Sequence, residues 1–199
     1  MQAIDIPNGK KLIVIDGLLS PKECESLIAR ADQIVTNGKG DRGWHMADTG
    51  GNYMRVVMID EELAGKLFRR LKDIIPSSHG NMKLLYLNPC FRFSRYDVGG
   101  EFPIHKDGMN IDCISAPYHG HANTRSVMTL NIFLNGWDGE GDGGGATTFF
   151  HNDQRTVRYV AKPRAGRAAL FDAQQYHRGD EVKRRYKYLL RTDVMGVPM

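Results

Sequence analysis

The sequence predicts a mostly β protein in which two helices pack on one antiparallel β core. Two amphipathic segments come first in the chain, and short β-rich runs follow from Lys83 onward, separated by Gly, Asp and Asn turns. The helices precede the strands instead of alternating with them. A doubly wound parallel sheet is therefore disfavoured, and an all-β barrel or sandwich flanked by helices is favoured.

The length and composition indicate one folded domain. The chain has 199 residues, of which 41% are hydrophobic and 25% are charged, as is typical of a globular protein. We expect one domain over residues 1–199, with a helical N-terminal region at 1–82 and the β core at 83–199. No stretch approaches the roughly 18 apolar residues that span a bilayer, so we predict no membrane segment.

Charge and cysteine content indicate only broad features of the binding partners and the cellular compartment. Twenty-seven basic residues against 23 acidic residues give a formal net charge of +4, which indicates a mild attraction to anions without naming one. Cys24, Cys90 and Cys113 are odd in number and widely spaced, without the Cys-x-x-Cys pair of a zinc or redox site. This cysteine usage fits a reducing compartment, so we expect a cytoplasmic protein.

The N-terminal region predicts a strand followed by two helices. Residues 12–15 are an apolar run, and Ser20 and Glu23 then form the S-x-x-E pattern of a capping box, with a proline at the first helical position. The second helix is predicted from Asp60 until Pro76 stops it. The apolar face of the first helix consists of Cys24, Leu27, Ile28, Ala31, Ile34 and Val35.

The β core is predicted from seven runs of β-forming residues. These runs are LLYL, FRFSRY, SVMTLNIFL, ATTFF, TVRYVA, RAALF and YKYLLRTDV. Two Gly-rich polar stretches, residues 37–52 and 108–124, are long enough to be disordered loops or mobile lids. The second stretch contains His119 and His121, which have no carboxylate partner nearby, so we favour a lid or a solvated loop over a metal site there.

Two histidines and one aspartate form a candidate metal site. His105 and Asp107 lie on a predicted extended segment, where the two-residue period puts both side chains on one face. His177 comes soon after the run RAALF, where its imidazole can emerge at a strand end. Two histidines and one carboxylate on one side of an ion form the facial triad of non-haem iron(II) oxygenases, which leaves positions open for substrate and oxygen.

A second His-x-Asp pattern competes with the first. His151 and Asp153 have the same spacing, but only 24 positions separate Asp153 from the distal histidine, whereas 70 separate Asp107 from it. The longer interval has room for the several strands that bring the two ends of a barrel together. We therefore favour the first pattern.

Lys187 is a candidate partner for an anionic cosubstrate. It stands ten positions after the distal histidine, on a predicted strand where it shares a face with Leu189 and Arg191. A cation among apolar neighbours needs an anion to compensate for its burial. Tyr96, nine positions before the first histidine, could donate its hydroxyl to the same anion.

These pieces together resemble the Fe(II)/2-oxoglutarate-dependent oxygenase superfamily and, within it, the prolyl 4-hydroxylase-like branch. The matching segments are LIVIDGLLSPKECESLI, FRFSRYDVGGEFPIHKDG, TLNIFLN with GGGATTFF, and GRAALFDAQQYHRGDEVKRRYKYLLRTDVM. They cover most of the chain. The combination of a tyrosine, His-x-Asp, a distal histidine and a lysine ten residues later is more specific than any one of these features.

The resemblance implies a double-stranded β-helix, or jelly-roll, as the β core. It implies Fe(II) on His105, Asp107 and His177, and 2-oxoglutarate bound by Lys187 and Tyr96. The implied reaction uses O2 to hydroxylate an unactivated C–H bond in a peptide or protein side chain such as proline, or in a small amino acid, and releases succinate and CO2. Ascorbate would keep the iron reduced.

The substrate is less well defined by the resemblance. Arg125 leads into the run SVMTLNIFL, where the family has a basic residue near the substrate, so it is a candidate substrate contact. Residues 143–147, GGGAT, lack both acids of the Glu-Gly-Gly-Glu-Thr motif that is frequent in this branch. Gln175 stands where collagen-type enzymes have a bulky aromatic side chain.

Three alternative functions can be weighed from the sequence. The pI near 9.0 admits a nucleic-acid demethylase of the same superfamily. That branch anchors 2-oxoglutarate through arginines of the last strands, for which Arg185 and Arg191 are weak substitutes, and no basic stripe interleaved with aromatics is present. An inert jelly-roll binding module would lack part of the triad or the anchor, and a zinc or manganese hydrolase would need a general base near the site. We therefore expect neither nucleic acid nor a membrane as partner.

Overall fold

The described part of the chain forms two helices and fourteen strands, arranged in two antiparallel sheets. A computed structural model describes residues 1–34, 43–108, 124–137 and 142–199. The elements in chain order are β1 (Gln2–Asp5), β2 (Leu12–Asp16), α1 (Pro21–Asp32), β3 (His45–Met46), β4 (Met54–Ile59), α2 (Glu61–Leu71), β5 (Ser78–His79), β6 (Met82–Leu87), β7 (Cys90–Tyr96), β8 (Phe102–His105), β9 (Arg125–Phe133), β10 (Thr147–Phe150), β11 (Val157–Ala161), β12 (Ala168–Asp172), β13 (His177–Gly179) and β14 (Lys187–Pro198).

The larger sheet has ten strands and carries the helices on one face. Its main path runs β1-β2-β12-β9-β14-β7-β4-β3, with β6 and β5 added beside β14. The smaller sheet has the order β11-β10-β13-β8. Side chains alternate along the strands of the larger sheet, so Phe91 and Phe93 of β7 pack with the helices, whereas Tyr96 of the same strand packs with residues of the smaller sheet. The two sheets therefore enclose a second core between them.

Helix α1 confirms the predicted capping box. The Ser20 hydroxyl accepts a hydrogen bond from the Glu23 backbone N–H, and the Glu23 carboxylate accepts one from the Ser20 backbone N–H at 3.0 Å. Cys24, Leu27 and Ala31 are buried, as the helical spacing predicts. The capping residues and the apolar spacing of this segment thus both predict the helix that the structure shows.

Helix α2 begins where the sequence predicts and ends earlier. Asp60 caps it by accepting the Leu63 N–H at 2.8 Å, but the helix stops at Leu71, so the expectation that it continues to Pro76 is wrong. After Leu71 the chain forms a terminating turn, in which the N–H groups of Ile74 and Ile75 both donate to the Leu71 carbonyl and the regular helical ladder ends. The apolar spacing therefore overestimates the length of the helix.

All seven predicted strands are confirmed, as β6, β7, β9, β10, β11, β12 and β14. The description of residues 1–82 as a helical region is incomplete, because β1 to β5 also lie there. β2 pairs with β12 and β4 pairs with β7, so this region completes both sides of the larger sheet. No helix in the described ranges is long and apolar enough to cross a membrane.

Several sequence predictions fall wholly or partly outside the described residues. Val35, Cys113, His119 and His121 lie there, as does most of the stretch 108–124. Of the stretch 37–52, residues 43–52 are described and include the short strand β3, which pairs with β4. The two described cysteines are buried free thiols.

Candidate metal and cosubstrate site

The pairing of β8 with β13 brings the two candidate histidines together. His105 ends β8 and His177 begins β13, and the two residues are direct cross-strand partners with ring centroids 4.2 Å apart. Asp107 follows two residues after His105, where its backbone N–H donates to the Ala173 carbonyl at 2.9 Å. One candidate ligand atom from each of the three side chains lies within 4.8 Å of the other two.

Backbone hydrogen bonds orient both imidazole rings. The His105 Nδ1 atom lies 2.8 Å from the Pro103 carbonyl, and the His177 Nδ1 atom lies 3.0 Å from the Gln175 carbonyl. A carbonyl only accepts, so Nδ1 carries the proton in both rings and Nε2 keeps its lone pair. Burial lowers the pKa of His177 to about 4, which keeps this ring neutral at pH 7. Both Nε2 atoms face Asp107 Oδ1, at 3.6 and 3.8 Å.

The Asp107 carboxylate is ionised and fixed in place. Its Oδ2 atom accepts a hydrogen bond from the Thr129 hydroxyl at 2.5 Å. Burial acts to raise the pKa of Asp107, but the charge of Arg191, whose Nη1 atom lies 2.8 Å from Oδ1, acts together with both histidines and the Thr129 hydroxyl and holds the pKa well below its usual range. Oδ1 is buried and makes no aligned hydrogen bond in the described part of the chain, despite this ion pair. Two imidazole nitrogens and one buried carboxylate oxygen are a donor set that fits a divalent transition metal.

A cavity of about 360 Å³ opens beside these three side chains, and Lys187 and Tyr96 line its other wall. These two residues are direct partners across β7 and β14. The Lys187 Nζ atom lies 4.6 Å from the centroid of the Tyr96 ring. Lys187 is 1% exposed and has no hydrogen bond or ion pair with any residue in the described ranges. Burial lowers the pKa of Lys187 to about 8 and raises that of Tyr96.

A glycine of the GGGAT segment makes room for Lys187. Gly145 has φ +69°, and a Cβ atom at this position would lie 3.0 Å from the Lys187 Cδ atom. Both the backbone conformation and the close approach therefore require glycine. The GGGAT segment, which departs from the family motif, thus leaves space for Lys187, the candidate cosubstrate anchor.

The remaining predicted positions lie elsewhere. Arg125 does not line the cavity, and its guanidinium contacts the Met82 Sδ atom at 3.2 Å. The rival Asp153 is fully exposed and accepts hydrogen bonds from the backbone of Arg155 and from Thr156 within its own turn. In the part of the chain that the structure describes, the His105 cluster is the only group of three potential metal ligands.

Sequence reasoning missed several polar residues of the cavity wall. Thr129 and Asn131 lie on one face of β9, inside the apolar run SVMTLNIFL, and Asn131 lines the cavity. Their two-residue spacing was the available signal, because isolated polar residues on one face of a buried strand must find polar partners. Arg55 and Arg92 also line the cavity, on the adjacent strands β4 and β7.

A β sandwich in which two histidines and a carboxylate converge beside a buried lysine has the architecture of a non-haem metal oxygenase. The sequence identifies the family, because the family model of the 2OG-Fe(II) oxygenase superfamily matches residues 91–192. The chain belongs to this superfamily and is a 2-oxoglutarate- and Fe(II)-dependent dioxygenase, which confirms the predicted resemblance.

Solved structures with the same fold include several prolyl hydroxylases. The chain is similar to the viral collagen prolyl hydroxylase of Paramecium Bursaria Chlorella virus-1 in its 2OG complex, with TM-score 0.61, 20% identity, and coverage of 94% of this chain and 96% of that one. A Pseudomonas putida prolyl-4-hydroxylase matches with TM-score 0.63, 17% identity, and coverage of 92% and 91%. A Trichoplax adhaerens prolyl hydroxylase in complex with a hypoxia inducible factor peptide fragment matches with TM-score 0.62, 16% identity, and coverage of 92% and 82%. The search of curated proteins gave no match. At these identities the structural likeness establishes the fold.

Proposed function

We propose that the protein hydroxylates an unactivated C–H bond in a peptide or protein side chain, such as proline, and uses Fe(II), 2-oxoglutarate and O2. The observation that carries this proposal is the convergence of two imidazole nitrogens on the buried Oδ1 atom of Asp107 beside Lys187, a buried cation that has no ion pair in the described ranges. The structural neighbours named as prolyl hydroxylases support it, since one of them is in complex with a peptide.

His105, Asp107 and His177 would hold the iron on one side. The bound metal and cosubstrate supply an oxidant that removes hydrogen from carbon and returns a hydroxyl group, with succinate and CO2 as by-products, and ascorbate keeps the iron reduced. The protein contributes orientation: Thr129 fixes the carboxylate, and backbone carbonyls fix both rings. Phe149 and Phe171 pack around His177 and exclude water from the ligand side.

Lys187 would bind the distal carboxylate of 2-oxoglutarate, and Tyr96 would donate its hydroxyl to the cosubstrate. A buried ammonium beside the Tyr96 and Phe133 rings gains much from an anion, because the interaction is stronger in a low dielectric than in water. The same aromatic rings keep the cosubstrate pocket dry.

The wider organisation is part of the proposal. We infer that residues 1–199 act as one oxygenase domain in which the two sheets form a double-stranded β-helix, since β2 and β4 join the sheet of the family-matched segment. The buried free thiols Cys24 and Cys90 are consistent with a cytoplasmic location.

The proposal is tested by succinate formation. Anaerobically iron-loaded protein is mixed with 2-oxoglutarate, O2 is admitted, and succinate is measured with and without a pool of proline-containing peptides. We expect turnover above that of a His177→Ala control, and stimulation by the peptides. Protein that binds Fe(II) and 2-oxoglutarate yet forms no more succinate than the control with every peptide would contradict the proposal.

A further inference from the structure

The cavity carries more positive charge than its own acids balance. The cationic residues that line it are Arg55, Arg92, Lys106, Lys187 and Arg191, and the carboxylate among the described lining residues is Asp107. The charges of Fe(II) and 2-oxoglutarate are equal and opposite, so their joint binding leaves the surplus in place. The cavity therefore has capacity for a further anion.

Most of these cations have a partner. Asp193, which is fully buried, pairs with Arg92 at 3.0 Å and with Arg191 at 3.3 Å. Lys106 lies over the Tyr176 ring at 4.4 Å. Lys187 is assigned to the distal carboxylate of 2-oxoglutarate. Arg55 and Lys106 remain without a carboxylate partner in the described ranges, and of these two Arg55 is the one with a buried donor that lacks an acceptor.

Arg55 has no carboxylate partner among the described residues. Its guanidinium donates to the Tyr53 hydroxyl and lies 5.4 Å from the centroid of the Tyr53 ring. Its Nε–H is shielded from solvent and has no hydrogen-bond acceptor within the described ranges. A planar guanidinium with free donors beside a cavity is suited to bind a carboxylate through two parallel hydrogen bonds.

Arg55 lies on a different strand from the proposed cosubstrate lysine. Asp107 contacts Thr129 of β9 and Arg191 of β14, whereas Arg55 lies on β4, two strands beyond β14. At about 4.8 Å per strand this displaces its backbone by about 10 Å from β14. The proposed function assigns one carboxylate of 2-oxoglutarate to Lys187 and leaves the other to the metal, so a further carboxylate on Arg55 belongs to the substrate.

We propose that Arg55 binds a carboxylate of the substrate, so that the enzyme selects an acidic substrate. This inference rests on the proposed function and deepens it. The carboxylate could belong to an acidic side chain near the hydroxylated residue or to the free C-terminus of a short peptide. Both sources present the same group to the guanidinium. Peptides that carry only one of the two carboxylates distinguish an acidic side chain from a free C-terminus.

The test measures peptide binding without turnover. Fluorescein-labelled proline peptides are titrated anaerobically into the protein loaded with Fe(II) and 2-oxoglutarate. The first set has a side-chain carboxylate, from Glu within three residues of proline, and an amidated C-terminus. The second set has Gln at those positions and a free C-terminal carboxylate, and the neutral third set has Gln and an amidated C-terminus. The wild type is expected to bind at least one carboxylate-bearing set at least tenfold more tightly than the neutral set, which corresponds to about 1.4 kcal/mol. Arg55→Gln should reduce this preference below threefold, and Arg55→Lys should retain part of it.

Arg95→Gln is the matched control. Arg95 lies on β7, does not line the cavity, and packs against Trp44 and Tyr186. The Arg95→Gln variant should keep the wild-type preference for carboxylate-bearing peptides. Thermal unfolding of all variants checks that they are folded. The inference is overturned if the wild type binds the three peptide sets equally or does not bind them. It is also overturned if Arg55→Gln keeps the carboxylate preference, or if Arg55→Gln weakens 2-oxoglutarate binding and leaves peptide binding unchanged. Admitting O2 afterwards tests the proposed function separately, since a carboxylate preference without succinate formation would contradict hydroxylation alone.

Discussion

Replacing Lys187 with methionine removes a buried charge and keeps an unbranched side chain of similar length. Lys187 is 1% exposed, and burial lowers its pKa from 10.5 to about 8. This depression corresponds to about 3 kcal/mol of cost for burying the charge. A carboxylate beside the ammonium would recover part of that cost through a charge-assisted hydrogen bond of about 1.5–3 kcal/mol. We therefore expect the 2-oxoglutarate concentration at half-saturation to rise about ten- to a hundredfold in Lys187→Met.

The pH dependence of 2-oxoglutarate binding has a definite sign. The carboxylate binds the protonated ammonium, so affinity is constant well below pH 8 and falls as the pH rises through about 8, where free Lys187 loses its proton. Lys187→Arg keeps its charge throughout this range, since guanidinium does not titrate there, and should lack this fall. Lys187→Met should bind weakly at every pH.

Anaerobic calorimetric titration of 2-oxoglutarate into Fe(II)-loaded protein measures these affinities. In two buffers of different ionisation enthalpy, the heats also report proton uptake, which we expect for the wild type above pH 8 and for neither variant. Ligand-free Lys187→Met should unfold at no lower temperature than the wild type, because the variant loses a buried cation that has no ion pair in the described ranges. Wild-type affinity in a folded Lys187→Met would refute the reasoning and assign the distal carboxylate to another cation.

Three further predictions concern the ligands and their supports. His105→Ala and Asp107→Ala should remain folded by circular dichroism and form negligible succinate, since a β core of this size does not need the metal to fold; unfolding of both at ordinary temperature would indicate a structural metal. Thr129→Val removes the 2.5 Å hydrogen bond to Asp107 and should weaken Fe(II) binding about 10- to 100-fold in a metal titration, with Thr129→Ser as the variant that retains the bond. Gly145→Ala places a Cβ atom 3.0 Å from Lys187 at φ +69° and should lower the free energy of unfolding by about 1–2 kcal/mol in urea denaturation; an unchanged midpoint would show that the lysine relaxes freely.

The sequence predicted those features that depend on local periodicity. The spacing of two residues put His105 and Asp107 on one face, and the capping box of α1 located a helix start correctly. It also identified seven strands of the β core, including the three longest, β7, β9 and β14. β8 and β13 were not among these runs, because their sequences FPIH and HRG contain few β-forming residues. Their register is nevertheless what makes His105 and His177 partners.

Sequence reasoning could not supply contacts made across the sandwich. Arg55 lies on β4, which a sequence pattern describes only as a short apolar run, and nothing local indicates that it faces the same cavity as Lys187. The prediction for the end of α2 failed because apolar residues continue at helical spacing to Ile74, whereas the backbone leaves the helix after Leu71.

The role of Arg191 follows from its partners. Arg191 shares a face of β14 with Lys187, so either could anchor the cosubstrate on sequence grounds. Its guanidinium lies between Asp107 at 2.8 Å and Asp193 at 3.3 Å, and these carboxylates outweigh the effect of burial and raise its pKa. If Arg191 bound 2-oxoglutarate instead, it would leave a buried carboxylate without its counter-charge, at a cost of several kcal/mol. Lys187 has no carboxylate partner to give up within the described residues. This supports 2-oxoglutarate binding by a lysine, as in the hydroxylases, over binding by an arginine, as in the demethylase branch.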